Sequence, residues 1–146
     1  FRFKHLDFAA AGVIALLHDV IVALGVTVIS GRQIDLLVVT ALLTIAGYSI
    51  NDTIVTYDRV RENTAKMPKL PLCDLLNLSV NQTLGRTILT TSVTLLAVIS
   101  LFIFGGEVLN TFSFCILIGF VTGAYSTVFI ASPIVLSWQK WQGKKV

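Results

Sequence analysis

The stretch that decides the fold runs from Phe8 to Ile29 and reads FAAAGVIALLHDVIVALGVTVI. Apart from the pair His18-Asp19 in its middle, it contains no residue that ionises. A helix crosses the apolar part of a bilayer with about 20 mostly apolar residues, so the stretch predicts a transmembrane helix. The two polar residues at its centre need partners inside a protein, because lipid offers none.

Three further apolar stretches follow at about 36–56, 84–104 and 110–136. The whole chain is 55% hydrophobic and 13% charged, whereas soluble domains carry about 25% charged residues. Its mean hydropathy is +0.84. This composition excludes an ordinary soluble enzyme and a disordered chain. It predicts an all-α fold, in which residues 1–146 form one membrane domain of four packed transmembrane helices.

The connections between the spans predict how the chain is oriented. A long polar connection at about 57–82 joins spans two and three, and its leucines after Pro71 predict a short amphipathic helix on the membrane face or an ordered loop. Nine of the eleven Lys and Arg residues lie at the termini or in this connection, which predicts that all three are cytoplasmic. Trp138 and Trp141 fit an interfacial aromatic belt on that side. The nine are Arg2, Lys4, Arg59, Arg61, Lys66, Lys69, Lys140, Lys144 and Lys145.

The net charge of +3 does not indicate a nucleic-acid partner, because the basic residues cluster between apolar blocks instead of lining a face. Cys73 and Cys115 lie far apart in sequence with no metal-binding spacing, so both are interpreted as free thiols. No metal and no cofactor is predicted.

Two charged residues at matching depth are the main candidates for function. Asp52 lies late in span two, and Arg86 lies early in span three, each about 8–9 Å from the same end at 1.5 Å per residue. Antiparallel neighbours would bring the carboxylate and the guanidinium together. The pair either holds the bundle together, or the carboxylate loads and releases a proton while the arginine tunes it.

Polar residues surround both charges. Tyr48, Ser49 and Asn51 lie near Asp52, and a series of threonines lies along one side of span three near Arg86. Such a hydroxyl stripe either holds water and conducts protons or serves ordinary helix packing. We favour the wet path because the stripe is dense. Its members are Thr83, Thr87, Thr90 and Thr94.

Asp19, near the middle of span one, is either a second proton site or a hydrogen-bonded packing residue. His18 is expected to be a neutral imidazole bonded to a neighbouring helix, and the two side chains are expected to face different neighbours, since adjacent helical residues point about 100° apart. In span four, Gly119, Gly123 and Ser126 form a small face of the kind on which membrane helices pack closely. Pro133 is expected to bend or end that helix.

Two other functions fit parts of this pattern. The first is an intramembrane aspartyl protease that uses Asp19 and Asp52 as its catalytic dyad. The two carboxyl groups would have to share one proton, which their different depths and the nearby Arg86 disfavour. A passive module that only packs or anchors would leave the buried charges unexplained.

Four stretches together resemble the SecF family of protein-export membrane proteins. Span two continues into GYSINDTIVTYDRVREN at 47–63, which matches the family signature most closely. The others are LLHDV at 16–20, NQTLGRT at 81–87 and GAYSTVFIASP at 123–133. The resemblance covers essentially the whole chain.

The resemblance implies half of a transmembrane domain of the RND superfamily, the C-terminal spans three to six of SecF or of a fused SecDF. It implies a non-enzymatic subunit in the bacterial inner membrane that uses the proton gradient to promote translocation of unfolded preproteins after SecYEG and SecA, with SecD as its partner. The positions that match the family's proton-handling carboxylate and arginine are Asp52 and Arg86.

Overall fold

The computed structural model describes residues 6–141, and in this range the chain forms helices joined by short turns. Four helical rods are long and apolar enough to cross a membrane. The predicted all-α bundle of four membrane helices is therefore confirmed. The elements are α1 (Leu6–Ile29), α2 (Leu36–Lys66), α3 (Leu72–Phe104), α4 (Gly106–Ser126), a π-helical turn (Thr127–Ala131) and α5 (Ser132–Trp141).

The turns between the rods are fixed by local chemistry. The Asp35 side chain caps α2 by accepting a hydrogen bond of 2.9 Å from the Val38 amide. Between α3 and α4 only Gly105 lies outside a helix, and Gly106 has a φ of +70°. A side chain at Gly105 would collide with the Leu101 carbonyl oxygen, and one at Gly106 would be strained, so the reversal requires both glycines.

The connection predicted at 57–82 is mostly helical, which corrects that boundary. Helix α2 continues to Lys66, α3 already begins at Leu72, and only 67–71 lie between them. The leucines do lie on a helix that begins after Pro71, as one of the two interpretations predicted, but this helix is the start of α3 and not a short separate one. Leu76 is buried against Val60 of α2 and Val135 of α5. Hydropathy identifies only the apolar part of a helix. The helix itself continues as long as its polar residues find partners in the folded chain.

The rod that contains α4 occupies the centre of the bundle, and α3 lies at its side. In the most apolar segment of the α4 rod, 50% of the residues are buried inside the chain. In the corresponding segment of α3, only 11% are buried. The main apolar core forms where α4 meets α1 and α2. Its fully enclosed members are Ala23, Val38, Ala41, Ile45, Cys115, Ile116 and Phe120.

The small residues of α4 face this core. Gly119 lies directly against the Ile45 side chain, Gly123 lies beside Ser49 and Asp19, and Ser126 is fully buried. A glycine at these points lets two helix backbones approach closely, which supports association of membrane helices.

The α4 rod does not end at Pro133 but widens just before it. The Ser132 amide donates to the Thr127 carbonyl five residues earlier, which defines the π-helical turn, and α5 then continues to Trp141. Proline has no amide hydrogen and its ring collides with the carbonyl four residues before it in a regular helix. The wider turn accommodates that residue without breaking the rod.

Candidate functional site

Asp52 lies on the side of α2 that faces α3, and only one of its carboxylate oxygens has a partner. The Thr87 hydroxyl donates to Oδ1 at 2.9 Å. Oδ2 is enclosed and has no hydrogen-bond partner within the described residues. A carboxylate oxygen without a donor inside a membrane bundle is costly, so this atom marks a place where a proton, a water molecule or another donor is needed.

Arg86 does not pair with Asp52 in this structure. Among residues 6–141, the two ion pairs formed by Lys or Arg both involve Glu62, and the guanidinium of Arg86 is exposed at the side of α3. Thr87 occupies the position that faces α2, and the preceding residue points about 100° away. Arg86 is adjacent to Thr87 and therefore close to Asp52 in depth. The rotation of α3 directs the Thr87 hydroxyl, and not the Arg86 guanidinium, toward the carboxylate.

The hydroxyl stripe is present with a different phase from the one predicted. The buried polar residues of α3 recur every fourth position, and Thr90 is exposed and donates to the Arg86 carbonyl of its own helix. Thr94 is half-buried and lies 3.2 Å from the Tyr48 hydroxyl. The buried members are Ser79, Thr83, Thr87 and Thr91.

The residues predicted to support Asp52 divide among three environments. The Tyr48 hydroxyl lies 3.2 Å from Thr91 and its ring stacks on Phe120 at 4.2 Å, so it joins α2 to both α3 and α4. Ser49 faces away from Asp52, toward α1 and α4. Asn51 is exposed on the outer surface of α2.

A polar network that sequence reasoning did not identify joins α2 to α3 beyond the Asp52 level. Buried Asn63 donates to Ser79 at 2.8 Å and to Gln82 at 2.9 Å, and Arg59 donates to the same Gln82 oxygen at 2.7 Å. Arg59 and Lys66 also each pair with Glu62 at 2.5 Å. A signal was available, because Asn63 continues the buried series of α2 at helical spacing. That series is Ser49, Thr53, Thr56, Val60 and Asn63.

An open groove of about 370 Å³ lies between α2 and α3 next to this network. Arg86 lines it at one end, and Asp58 and Glu62 provide acidic groups along it. The groove therefore places a polar, charged surface beside Arg86, the residue that precedes the Thr87 donor of Asp52. The complete lining is Val55, Asp58, Arg59, Glu62, Gln82, Thr83 and Arg86.

Asp19 is fully buried and is the most fully bonded carboxylate of the spans. Ser49 donates to its Oδ2 at 2.6 Å, Ser126 donates to the same oxygen at 2.8 Å, and the His18 ring lies 3.1 Å from Oδ1. His18 also contacts the Tyr125 hydroxyl of α4 at 3.4 Å. The expected contact of His18 with a neighbouring helix is present, and its partner Tyr125 differs from Ser49 and Ser126, the partners of Asp19, as expected. The two adjacent side chains also bond to each other.

The two intramembrane carboxylates do not form one site. The partners of Asp19 lie on α1, α2 and α4, whereas Asp52 bonds to Thr87 of α3. An aspartyl dyad needs two carboxyl groups that share a proton, and these two share no partner in the structure. The arrangement instead separates a saturated carboxylate, Asp19, from an unsaturated one, Asp52.

Comparison with known proteins agrees with this architecture. Residues 1–141 match the family described as protein export membrane protein SecD/SecF, C-terminal. The chain is 47% identical over 145 residues to the protein translocase subunit SecF of Koribacter versatilis, and 53% identical over 130 residues to that of Cereibacter sphaeroides. These alignments cover 99% and 89% of the chain.

The structural comparison leads to the same group of proteins. The crystal structure of SecDF, a translocon-associated membrane protein from Thermus thermophilus, superposes with a TM-score of 0.90 at 41% identity. The superposition covers 96% of this chain and 19% of that one. The chain spans 36% and 40% of the length of the two SecF relatives, so each of them contains much that this chain does not.

Proposed function

Because this chain belongs to the SecD/SecF protein-export family, of which it forms the C-terminal membrane region, we propose that it acts as a proton-coupled membrane subunit of protein translocation. The observation that carries the proposal is the unpartnered Oδ2 of Asp52. This atom lies inside a membrane bundle, beside a hydroxyl stripe and near the exposed Arg86. A proton pathway through a membrane needs an ionisable group with a free acceptor atom, and Asp52 provides one.

The proposed cycle alternates between two arrangements of Asp52. As a carboxylate it accepts from Thr87 and attracts the Arg86 side chain; once protonated it loses that attraction, and the packing of α2 against α3 changes. One elementary charge that crosses 100 mV yields about 2.3 kcal/mol, enough to shift a two-state equilibrium more than tenfold. The groove between α2 and α3 would give Arg86 and the proton access to one aqueous side.

Asp52→Asn tests this proposal in the full-length protein. The asparagine keeps the size and accepts from Thr87 but does not titrate, so translocation that depends on the proton gradient should be lost while the protein remains in the membrane. Arg86→Lys keeps the charge without the planar fork and should retain partial activity. Asp74→Asn, the same change on the exposed first turn of α3 and outside the groove, is the matched control and should behave like the parent.

The measurement is preprotein uptake by inverted membrane vesicles, with and without an uncoupler, at equal protein abundance. Asp52→Asn should match the parent in the presence of uncoupler and fall below it in its absence. Full gradient-dependent uptake by Asp52→Asn would refute the proposal and favour a passive packing module.

We further propose that SecD is the partner and that it covers the polar outer surface of α2 and α3. Asn51 and Arg86 are exposed on these helices, and lipid would leave their side chains without hydrogen-bond partners. A photo-crosslinking residue at Asn51 should capture SecD, whereas one at Val13, which is exposed on apolar α1, should not. SecYEG and an unfolded preprotein would be the further partners of the whole protein. Equal capture at both positions would contradict this assignment.

The proposed location is the bacterial inner membrane, with 67–71 and both ends of the chain in the cytoplasm. In a variant in which Cys73 is replaced by Ser, a cysteine at Glu107 should react with an impermeant thiol reagent added from outside. A cysteine at Lys69 should react only after the membrane is opened. Labelling of Lys69→Cys from outside would reverse the orientation.

A further inference from the structure

The carboxylate of Asp19 joins three helices at one point. Its Oδ2 accepts from Ser49 of α2 and from Ser126 of α4, at 2.6 and 2.8 Å, and the residue itself belongs to α1 and is completely buried. Ser49 bonds only to this oxygen, and Ser126 has it as its one acceptor on another helix besides the Gly123 carbonyl of its own helix at 3.3 Å. Loss of the carboxylate would therefore disconnect α2 from α4 at this level.

A second contact holds the same two helices one turn further along. The Thr53 hydroxyl of α2 lies 3.1 Å from the Thr127 hydroxyl, and both residues are buried. Ser126 is the last residue of α4 and Thr127 is the first of the π-helical turn. The turn therefore begins where α4 is fastened to α2 on two successive residues.

Asp52 lies between these two attachments along α2. Ser49 and Thr53 face α4, whereas Asp52, three residues after Ser49 and one before Thr53, lies at the side of that face and reaches α3. Because a helix rotates as a rigid body over one turn, the direction of the Ser49–Thr53 face determines the direction of the Asp52 carboxylate.

We propose that Asp19 is a positioning residue for Asp52: through Ser49 and Ser126 it fixes the rotation of α2 against α4 and so aims the Asp52 carboxylate at Thr87. This inference rests on the proposed function, in which Asp52 is the group that titrates. It resolves the two roles considered for Asp19 in favour of hydrogen bonding, because both of its oxygens are already engaged, whereas Asp52 has one that is free.

The test uses Asp19→Ala, which removes the acceptor of both serines, and two milder variants, Ser126→Ala and Ser49→Ala, in the full-length protein in membranes. Ser113→Ala is the matched control, since Ser113 is also buried on α4 but its hydroxyl bonds only to its own helix backbone. The first readout is the rotation of α2. It is followed as the rate at which a cysteine introduced at Val55, which lines the groove, reacts with a water-soluble thiol reagent.

The second readout is the protonation of Asp52, followed by its modification with a hydrophobic carbodiimide, which reacts with protonated carboxyl groups, over a range of pH. Peptide mass spectrometry separates Asp52 from other acidic residues. In the positioning variants the modification curve should shift to higher pH by about one unit, because a carboxylate that loses a hydroxyl donor protonates more easily. The Val55→Cys rate should change in the same variants, and Ser113→Ala should leave both readouts unchanged.

Three outcomes distinguish the ideas. A shifted curve together with a changed rate supports the positioning role. Folded variants whose rate and curve both coincide with those of the parent overturn it, whatever Asp52 does. The third outcome is a changed Val55→Cys rate in the variants together with Asp52 modification in the parent that does not vary with pH. It supports the control of α2 rotation by Asp19 and refutes Asp52 as the proton site. If Asp19→Ala does not accumulate, the two serine variants decide.

Discussion

The contact between Gly119 and Ile45 allows a sharp prediction about packing. A Cβ atom at position 119 would lie 2.7 Å from Ile45 Cγ2 and still closer to Cγ1 and Cδ1. Ile45 is fully buried and branched at Cβ, so these atoms move only if the whole side chain rotates into occupied space. Gly119→Ala therefore forces α2 and α4 apart.

The expected magnitude follows from the distances. Carbon atoms in favourable contact lie about 3.5–4.0 Å apart, so three atoms of Ile45 would each be displaced by roughly 1 Å or more. Extra methyl groups in a well-packed core cost about 1–3 kcal/mol, and the three simultaneous collisions place Gly119→Ala at the upper end. The gain in helix propensity from glycine to alanine, at most about 1 kcal/mol, offsets part of this cost.

The assay is unfolding of the full-length protein in mixed micelles with increasing sodium dodecyl sulfate, followed by the circular dichroism of its helices. Gly123→Ala is the matched control on the same face of α4, because its new Cβ would meet Ser49 and Asp19 at ordinary distances of 3.6 and 3.7 Å. The double variant Gly119→Ala/Ile45→Ala should be more stable than the sum of the single changes predicts, since the new methyl group enters the space that Ile45 vacates. Equal stability of Gly119→Ala and Gly123→Ala would refute the reasoning.

Substitutions at four further positions test individual contacts by the same assay. Tyr57→Phe removes a buried hydroxyl group that has no partner among the described residues, so stability should stay equal or rise by up to about 1 kcal/mol, whereas Tyr48→Phe breaks bonds to α3 and should cost about 0.5–1.5 kcal/mol. Thr87→Val removes the donor to Asp52 and should cost about 1–3 kcal/mol, while Thr87→Ser should be close to neutral. Arg32→Gln loses the cation–π contact with Phe114, at 4.2 Å from the ring centre, and should cost about 0.5–1 kcal/mol.

Matched positions serve as controls for these changes. Tyr48→Phe and Tyr57→Phe control for each other as losses of a phenol hydroxyl, Thr44→Val for loss of a hydroxyl that bonds only to its own helix, and Gln33→Ala for a change in the turn beside Arg32. A Thr87→Val variant as stable as Thr44→Val would contradict the importance of the bond to Asp52. Destabilisation by Tyr57→Phe would mean that its hydroxyl has a partner in the full-length protein.

The helical architecture was predictable because a bilayer leaves few alternatives. Backbone groups in lipid must be satisfied within each segment, so hydropathy alone identifies the spans. Hydropathy does not identify the helical residues at 57–66 and 72–83. There, polar residues such as Asn63 and Gln82 bond to each other between α2 and α3, and both helices continue beyond their apolar stretches.

The site was predictable in composition but not in detail. The depth of a residue can be counted along the sequence, which is why Asp52 and Arg86 were expected at one level. Which residue faces which neighbour depends on the rotation of each helix, and that is set by packing such as Ile45 against Gly119. For this reason Thr87, and not Arg86, contacts the carboxylate. The convergence of two serines on Asp19 depends on three helices at once and has no local signal.

The regular spacing of the buried hydroxyl groups on α3 has a mechanical consequence. Ser79, Thr83, Thr87 and Thr91 repeat every four residues, which corresponds to about 6 Å along the helix axis. If α3 slid along α2 by that distance, each hydroxyl would arrive where its neighbour had been, and Asp52 would meet Thr83 or Thr91 in place of Thr87. The buried hydroxyl groups are thus chemically equivalent donors at a regular interval, so a displacement of α3 by four residues would leave the carboxylate with a donor of the same kind.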